Sequence, residues 1–354
     1  MIDRALTQRI ANAVARGSVP GRAGAPPPPP LPGDLVAICT DAQLRVVTYT
    51  GLRPATALPV PEAVQAPAWI EANVNSMGAL LDPIGERLAS AGGMFGTTAK
   101  AAAGTLMSAE AGALTGYLSK RVLGQYEFAF ADPDQPARLL FVAPNIARAA
   151  QRLEADPEQL LKWIAFHEVT HAVQFTAVPW LRPYLAGLLD ELLGSLDFKL
   201  DARALLKLPS IDDVRAFTAG LRENGLVAAI GGPAQRALLE RVQGVMGVIE
   251  GHAEHVMDVV GAQALPSLAE LRGALDRRRR ERPPLMALLE RLIGLDAKMR
   301  QYEDGKRFCD AVAAGGGTAA LHSVFDGPER LPSVAELRDP DAWMRRTGVH
   351  AMAS

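Results

Sequence analysis

Apolar residues recur at helical spacing along most of the chain. From residue 70 to residue 88 they alternate at intervals of four and three, the period of one buried helical stripe. That stripe consists of Ile70, Val74, Met77, Leu81, Ile84 and Leu88. A second stripe, made of Leu238, Val242, Val245 and Ile249, predicts another helix, and small residues dominate residues 91–116, where helices can approach closely. The pattern predicts a mainly α-helical protein.

Two stretches predict small β-hairpins. β-branched residues are frequent in residues 35–40 and 44–50, and a short polar turn at 41–43 separates the two runs. Further along, Tyr126, Phe128 and Phe130 alternate with small or polar residues, and the apolar run 139–143 follows a turn rich in proline and aspartate. The expected fold class is therefore mainly α with small β-hairpins (α+β).

The proline pattern predicts three parts of the chain. Residues 1–32 read as a short amphipathic helix followed by a polyproline linker, because five consecutive prolines cannot be helical. Residues 33–326 form the body. Residues 327–354 form a C-terminal extension packed on that body, with a short last helix that carries Trp343.

Composition and charge exclude several classes of protein. The 354 residues are 49% hydrophobic and 21% charged, which excludes a disordered chain. The net charge of −2 argues against a dedicated nucleic-acid binder, which needs a basic excess to neutralise phosphates. The arginine-rich run 277–282 is interpreted as a solvated helix end. Neither nucleic acid nor a membrane is therefore expected as a partner, and the oligomeric state stays open.

The cysteines and the N-terminus predict a location. Cys39 and Cys309 are the only cysteines, so a four-cysteine zinc module is impossible and a reducing compartment is favoured. Charges at Asp3, Arg4 and Arg9 interrupt any secretory signal, and apolar runs fall short of the roughly 20 residues that span a bilayer. We expect a soluble, cytoplasmic protein.

The strongest chemical signal lies on a helix that begins near residue 156. Asp156 can cap the helix, Pro157 suits its first position, and Gln159 is placed to close a capping box. Two to three turns later the chain reads His167-Glu168-Val-Thr-His171, the HExxH spacing. Positions four apart on a helix differ by about 40°, so both imidazoles project from one side and can bind a single zinc ion. Glu168 is left beside that site as a general base.

A catalytic zinc site needs a third protein ligand. The metzincin pattern is excluded, because Gln174 and Ala177 stand where it requires glycine and histidine. A second helix offers Glu250, Glu254 and Asp258 at spacings of four, and so on one slowly drifting face. Glu250 and Glu254 both remain candidates on this evidence.

The sequences of both helices resemble those of a known protein family. The strings HEVTHAVQF and EGHAEHVMD, with QYEDGKRF at 301–308 and Gly124-Gln125-Tyr126 upstream, are similar to the zincin-like metallopeptidases of type 2, a gluzincin-like group. The resemblance implies a zincin-like fold, His167, His171 and Glu250 as zinc ligands, and Glu168 as the catalytic acid/base. The EGxA match at Glu250 favours it over Glu254.

These observations predict a zinc-dependent hydrolase that cleaves peptides or small amides. The alternative is a catalytically silent, zincin-like binding or accessory protein, since some members of the resembled family are associated with deazaflavin cofactor biosynthesis. Glu254 or Asp258 could orient a histidine ligand by accepting its Nδ1 proton. Candidates for an oxyanion donor are His252, His255, Tyr184 and Tyr302.

Overall fold

Most of the described chain is α-helical, as the apolar spacing predicts. The computed structural model describes residues 3–17, 30–91, 97–128, 135–195, 232–280 and 295–349. Its helices are α1 (Arg4–Arg16), α2 (Leu35–Thr50), α3 (Ala66–Ala91), α4 (Thr97–Leu118), α5 (Ala143–Leu153), α6 (Pro157–Ala177), α7 (Leu181–Ser195), α8 (Pro233–Ala264), α9 (Leu268–Arg280), α10 (Leu295–His322), α11 (Val334–Arg338) and α12 (Pro340–Thr347). Its strands are β1 (Pro61–Val64), β2 (Gly124–Glu127) and β3 (Arg138–Val142). The expected class, mainly α with a small β component, is confirmed.

The chain divides into two compact units. The first comprises residues 1–48, 53–176 and 260–271, and the second comprises residues 49–52, 177–259 and 272–354. The predicted division at residues 32 and 326 stays a prediction. None of the helices in the described ranges is long and apolar enough to cross a membrane.

The first unit contains a three-stranded sheet in the order β1-β3-β2. β3 is central and four of its five residues are buried. β2 pairs with it antiparallel, so the predicted second hairpin is confirmed, although the strand ends at Glu127 and Phe130 lies outside the described residues. β1 pairs parallel to β3 and was not predicted, because its four residues offer too short a pattern.

The predicted first hairpin is wrong, because residues 35–50 form helix α2. The side chain of Asp34 accepts hydrogen bonds from the amides of Val36 and Ala37 and so begins the helix. The expected turn lies in mid-helix, where Asp41 accepts a hydrogen bond from Arg45 at a spacing of four. Buried Ala42 and Val46 follow the helical period, which outweighs the strand preference of the β-branched residues.

The N-terminal segment forms helix α1, as predicted, and packs on α4. Gly112 and Gly116 face the backbone of α1, and a side-chain Cβ at either position would lie 2.6 Å or less from the carbonyl oxygens of Thr7 and Ala11. The small residues of α4 therefore provide the close helix contact that the sequence predicts. Residues 25–29 of the polyproline segment lie outside the described residues.

In the second unit α8 packs on α10 through glycine backbones. Gly251 of α8 lies directly against the backbone of Gly305, which in turn meets Gly247 one turn earlier on α8. The predicted turn at 315–317 reduces to Gly317, where a φ of 79° interrupts α10. The final helix carries Trp343 in the core, where its ring Nε1 donates to the carbonyl of Arg330 over 2.6 Å.

Candidate metal centre

Helix α6 carries the HExxH residues through the interior of the first unit. The carboxylate of Asp156 accepts the amide of Gln159 at 2.8 Å, so the predicted cap is present. The predicted capping box is wrong, because the side-chain oxygen of Gln159 instead accepts the backbone amide of Ser267 at 3.0 Å. Twelve of the 21 residues of α6 are buried, so this helix is surrounded by protein on most sides.

The two motif histidines bring their outer nitrogens together. Nε2 of His171 lies 3.2 Å from Nε2 of His167, and the two rings are nearly perpendicular. Two imidazole nitrogens bound to one tetrahedral zinc at about 2.05 Å stand about 3.3 Å apart. The pair is thus already spaced as two ligands of a common ion, as the four-residue interval predicts.

Glu250 of α8 belongs to the same group. Within the described residues, one ligand atom from each of His167, His171 and Glu250 lies within 4.8 Å of the other two. Two neutral imidazoles and one carboxylate form a donor set typical of catalytic zinc. The three side chains therefore fit a metal ion and could hold one. Glu254, the rival ligand, is not a member of this group.

Strand β2 holds the motif glutamate. The backbone amide of Tyr126 donates to Oε2 of Glu168 over 2.9 Å, and Glu168 is 8% exposed. Gly124 permits this contact, because a Cβ at that position would lie 2.6 Å from Cγ of Glu168 and 3.0 Å from Ile164. The strand therefore lies directly on α6 and orients the carboxylate.

The residue that orients His171 differs from the expectation. Nδ1 of His171 lies 2.9 Å from the side-chain oxygen of Gln174, so an amide stands where an acid was expected. Asp258, one of the predicted orienting acids, forms ion pairs with Arg272 and Lys306. No role was expected for Gln174, although its spacing of three from His171 on one helix was a usable signal.

The other histidines of α8 lie in a separate cluster of the second unit. His255 contacts the hydroxyl of Tyr49 through Nε2 and Asp310 through Nδ1, each at 2.7 Å. His252 is fully buried, and its ring meets the rings of His322 and Phe325 edge-on. These contacts are those of core groups, because His255 is hydrogen-bonded and His252 is packed among rings.

Charges and burial shift the pKa values of this cluster. Burial lowers the pKa of His322 to about 4, and the nearby His255 adds to the effect. Burial alone would raise the pKa of Asp310, but hydrogen bonds from His255 and Lys306 outweigh it and hold the pKa below its ordinary value. Burial, followed by the charge of Asp310, raises the pKa of Tyr49. The cluster is thus arranged around a neutral His322 and an ionised Asp310.

The remaining predicted site residues lie elsewhere. The hydroxyl of Tyr184 accepts a hydrogen bond from Arg241 at 3.4 Å, and the Tyr184 ring packs against Trp180. The side chain of Tyr302 lies outside the described part of the chain, as do the side chains of residues 277–282. Their predicted roles stay predictions.

Comparisons with known proteins identify a family and one similar crystal structure. Residues 2–344 match the family model of the zincin-like metallopeptidases. The crystal structure of a candidate hydrolase with a novel fold from Chloroflexus aurantiacus is 30% identical in sequence, with a TM-score of 0.70. The alignment covers 98% of this chain and 99% of that one. Among curated proteins there is no significant match. The chain belongs to the zincin-like metallopeptidase family.

Proposed function

We propose that this protein is a zinc-dependent hydrolase that cleaves peptide bonds. The observation that carries the proposal is the convergence of His167, His171 and Glu250, whose ligand atoms lie within 4.8 Å of one another. Two histidines and one glutamate are a ligand set of known zinc hydrolases. The family description favours a peptide, or a small amide, as the substrate.

The proposed ligand atoms are two imidazole nitrogens and one carboxylate oxygen. His167 and His171 would bind through their facing Nε2 atoms, and Glu250 through a carboxylate oxygen. Zinc held there would lower the pKa of a coordinated water and polarise the scissile carbonyl. Glu250 is proposed as the third ligand in preference to Glu254, because His167 and His171 group with Glu250.

Glu168 is the proposed general base. It neighbours His167 on α6, and the amide of Tyr126 fixes the position of its Oε2 atom. The carboxylate would take a proton from the attacking water and pass it to the nitrogen of the leaving amine. Burial of the α6 surface around Glu168 keeps bulk water from competing for that proton.

The two thiols support a cytoplasmic location. Cys39 and Cys309 are both buried and unpaired. Burial raises the pKa of Cys39 to about 12 and that of Cys309 further, so both are inert thiols rather than nucleophiles. Neither cysteine is assigned a part in the reaction.

Metal analysis and peptide hydrolysis test the proposal together. Protein purified without chelator is expected to contain one zinc per chain, and Glu250→Gln is expected to lose most of it. Glu254→Gln is the matched control on the same helix face and is expected to retain zinc. Hydrolysis is then followed by mass spectrometry on a mixed peptide library. A zinc-free wild type contradicts the proposal, and a zinc-loaded protein that cleaves no peptide supports the non-catalytic alternative.

A further inference from the structure

A buried amide lies against one of the motif histidines. The Oε1 atom of Gln174 is 2.9 Å from Nδ1 of His171, and Gln174 has no exposed surface. We propose that Gln174 positions His171 for metal binding by holding it in the tautomer that carries its hydrogen on Nδ1. This inference rests on the metal centre of the proposed function.

The chemistry of the two groups sets the direction of the hydrogen bond. A neutral imidazole carries one N–H, and an amide oxygen only accepts hydrogen bonds. Oε1 of Gln174 therefore selects the ring with hydrogen on Nδ1 and the lone pair on Nε2. That Nε2 is the atom 3.2 Å from His167, where a metal ion would bind.

Loss of this acceptor would release the tautomer. Without Oε1 the ring of His171 can carry its hydrogen on Nε2, where the hydrogen blocks the ligand atom. The ring would also lose the hydrogen bond that fixes the position of its Nδ1 atom. Partners of this kind, which bind a metal ligand rather than the metal, typically change metal affinity by about 10- to 100-fold.

An amide differs from the acids, Glu254 or Asp258, that were expected to orient a histidine ligand. A carboxylate orients the imidazole and also makes it a stronger ligand, whereas an amide orients it without adding charge. Because Gln174 adds no charge, the carboxylate of Glu250 supplies the negative charge of the group that it forms with His167 and His171. An acid at position 174 should keep the orientation and bind zinc at least as tightly.

The zinc dissociation constant of the full-length protein tests this role. It is measured at one pH by competition with a chromophoric chelator for wild type, Gln174→Met and Gln174→Glu. Methionine keeps the length of the side chain but has no strong acceptor, so we expect zinc binding about 10- to 100-fold weaker. Gln174→Glu is expected to equal or exceed the wild-type affinity.

Gln159→Met is the matched control on the same helix. It also removes an amide oxygen, one that accepts the amide of Ser267 at 3.0 Å and lies two turns before His167. Its zinc affinity should equal that of wild type. Equal affinities for wild type and Gln174→Met would overturn the inference, as would equal losses in Gln174→Met and Gln159→Met.

Nitrogen NMR on metal-free protein labelled at histidine provides a second readout. We expect His171, assigned through His171→Asn, to carry its hydrogen on Nδ1 in wild type. That preference should be lost in Gln174→Met. Hydrogen on Nε2 in wild type would overturn the inference, even if Gln174→Met does not fold. A wild type that binds no zinc refutes the proposed function, while the His171 tautomer still decides the role of Gln174.

Discussion

Two groups of histidines differ in what their ring nitrogens face. On α6 the Nε2 atoms of His167 and His171 face each other at 3.2 Å. In the second unit both nitrogens of His255 meet protein partners, Tyr49 and Asp310. A ring nitrogen that faces another imidazole can share a cation with it, whereas the nitrogens of His255 are already bonded to a hydroxyl and a carboxylate. The partner of the second nitrogen, more than the count of nearby acids, separates a ligand from a packing residue.

The largest effect is expected on zinc binding, when one histidine of the pair on α6 is removed. His167→Ala should weaken zinc binding by on the order of a thousandfold, because one of three protein ligands is removed. His255→Asn changes a histidine of the other group and should leave zinc stoichiometry unchanged. Metal content after dialysis measures both. Zinc loss in His255→Asn together with retention in His167→Ala would reverse the assignment.

Glu168→Gln separates chemistry from binding within the first group. The amide keeps the shape of the side chain but cannot take a proton, so hydrolysis should fall by about 100-fold or more. Zinc content should stay at the wild-type level. The exposed Glu158, one of the first residues of the same helix, provides the control Glu158→Gln, whose rate should match wild type. An active Glu168→Gln would remove Glu168 from the mechanism.

Gly251→Ala tests the packing of α8 on α10 in the second unit. The new methyl group would meet the backbone of Gly305, which cannot move aside as a side chain can. We expect the free energy of unfolding to fall by about 3 kcal/mol. Gly187→Ala is the control, because no atom lies within 4 Å of a Cβ at that helical position, and it should stabilise slightly. Denaturant unfolding of both variants measures the difference.

The smallest expected effect concerns the pH dependence of the second group. His322 has a pKa of about 4 in the folded chain, against an ordinary value of 6.5. The unfolded chain therefore binds more protons between these values, and stability falls as the pH drops from 6.5 towards 4. Because part of the His322 ring stays in contact with water, we expect the free energy of unfolding to fall by about 2 kcal/mol over this range.

His322→Gln should remove that part of the pH dependence. Its unfolding free energy at pH 4.5 should be closer to its value at pH 7 than in wild type. Thermal or denaturant unfolding at the two pH values measures this. If the free energy of unfolding depends on pH equally in both proteins, other groups, such as Asp310, account for the loss of stability in acid.

Sequence patterns predicted the parts of the site that depend on one helix. The four-residue interval between His167 and His171 dictates that they share a face, and the structure places them as predicted. The small residues at 91–116 were expected to allow close helix contact, and Gly112 and Gly116 lie against α1. Both predictions follow from helix geometry and the absence of a side chain, which need no knowledge of the tertiary fold.

Features set by tertiary contacts were predicted less well. Residues 35–50 were predicted as strands from their β-branched residues, but the burial of Ala42 and Val46 follows the helical period. Asp258 was expected to orient a histidine, but its ion pairs with Arg272 and Lys306 depend on helices far away in sequence. The contact between Tyr126 and Glu168 joins a strand and a helix 42 residues apart, and no local pattern encodes it.

The same contact has a consequence for association between chains. β2 is an edge strand of the described sheet, and edge strands offer unpaired amides that can recruit strands from other molecules. The amide of Tyr126 is already taken by the carboxylate of Glu168. A strand from a second chain that paired at Tyr126 would lie next to the negative carboxylate of Glu168. It could not accept a hydrogen bond from the Tyr126 amide, which already donates to that carboxylate. Replacing Glu168 with an apolar residue would therefore expose the sheet to aggregation as well as remove the base.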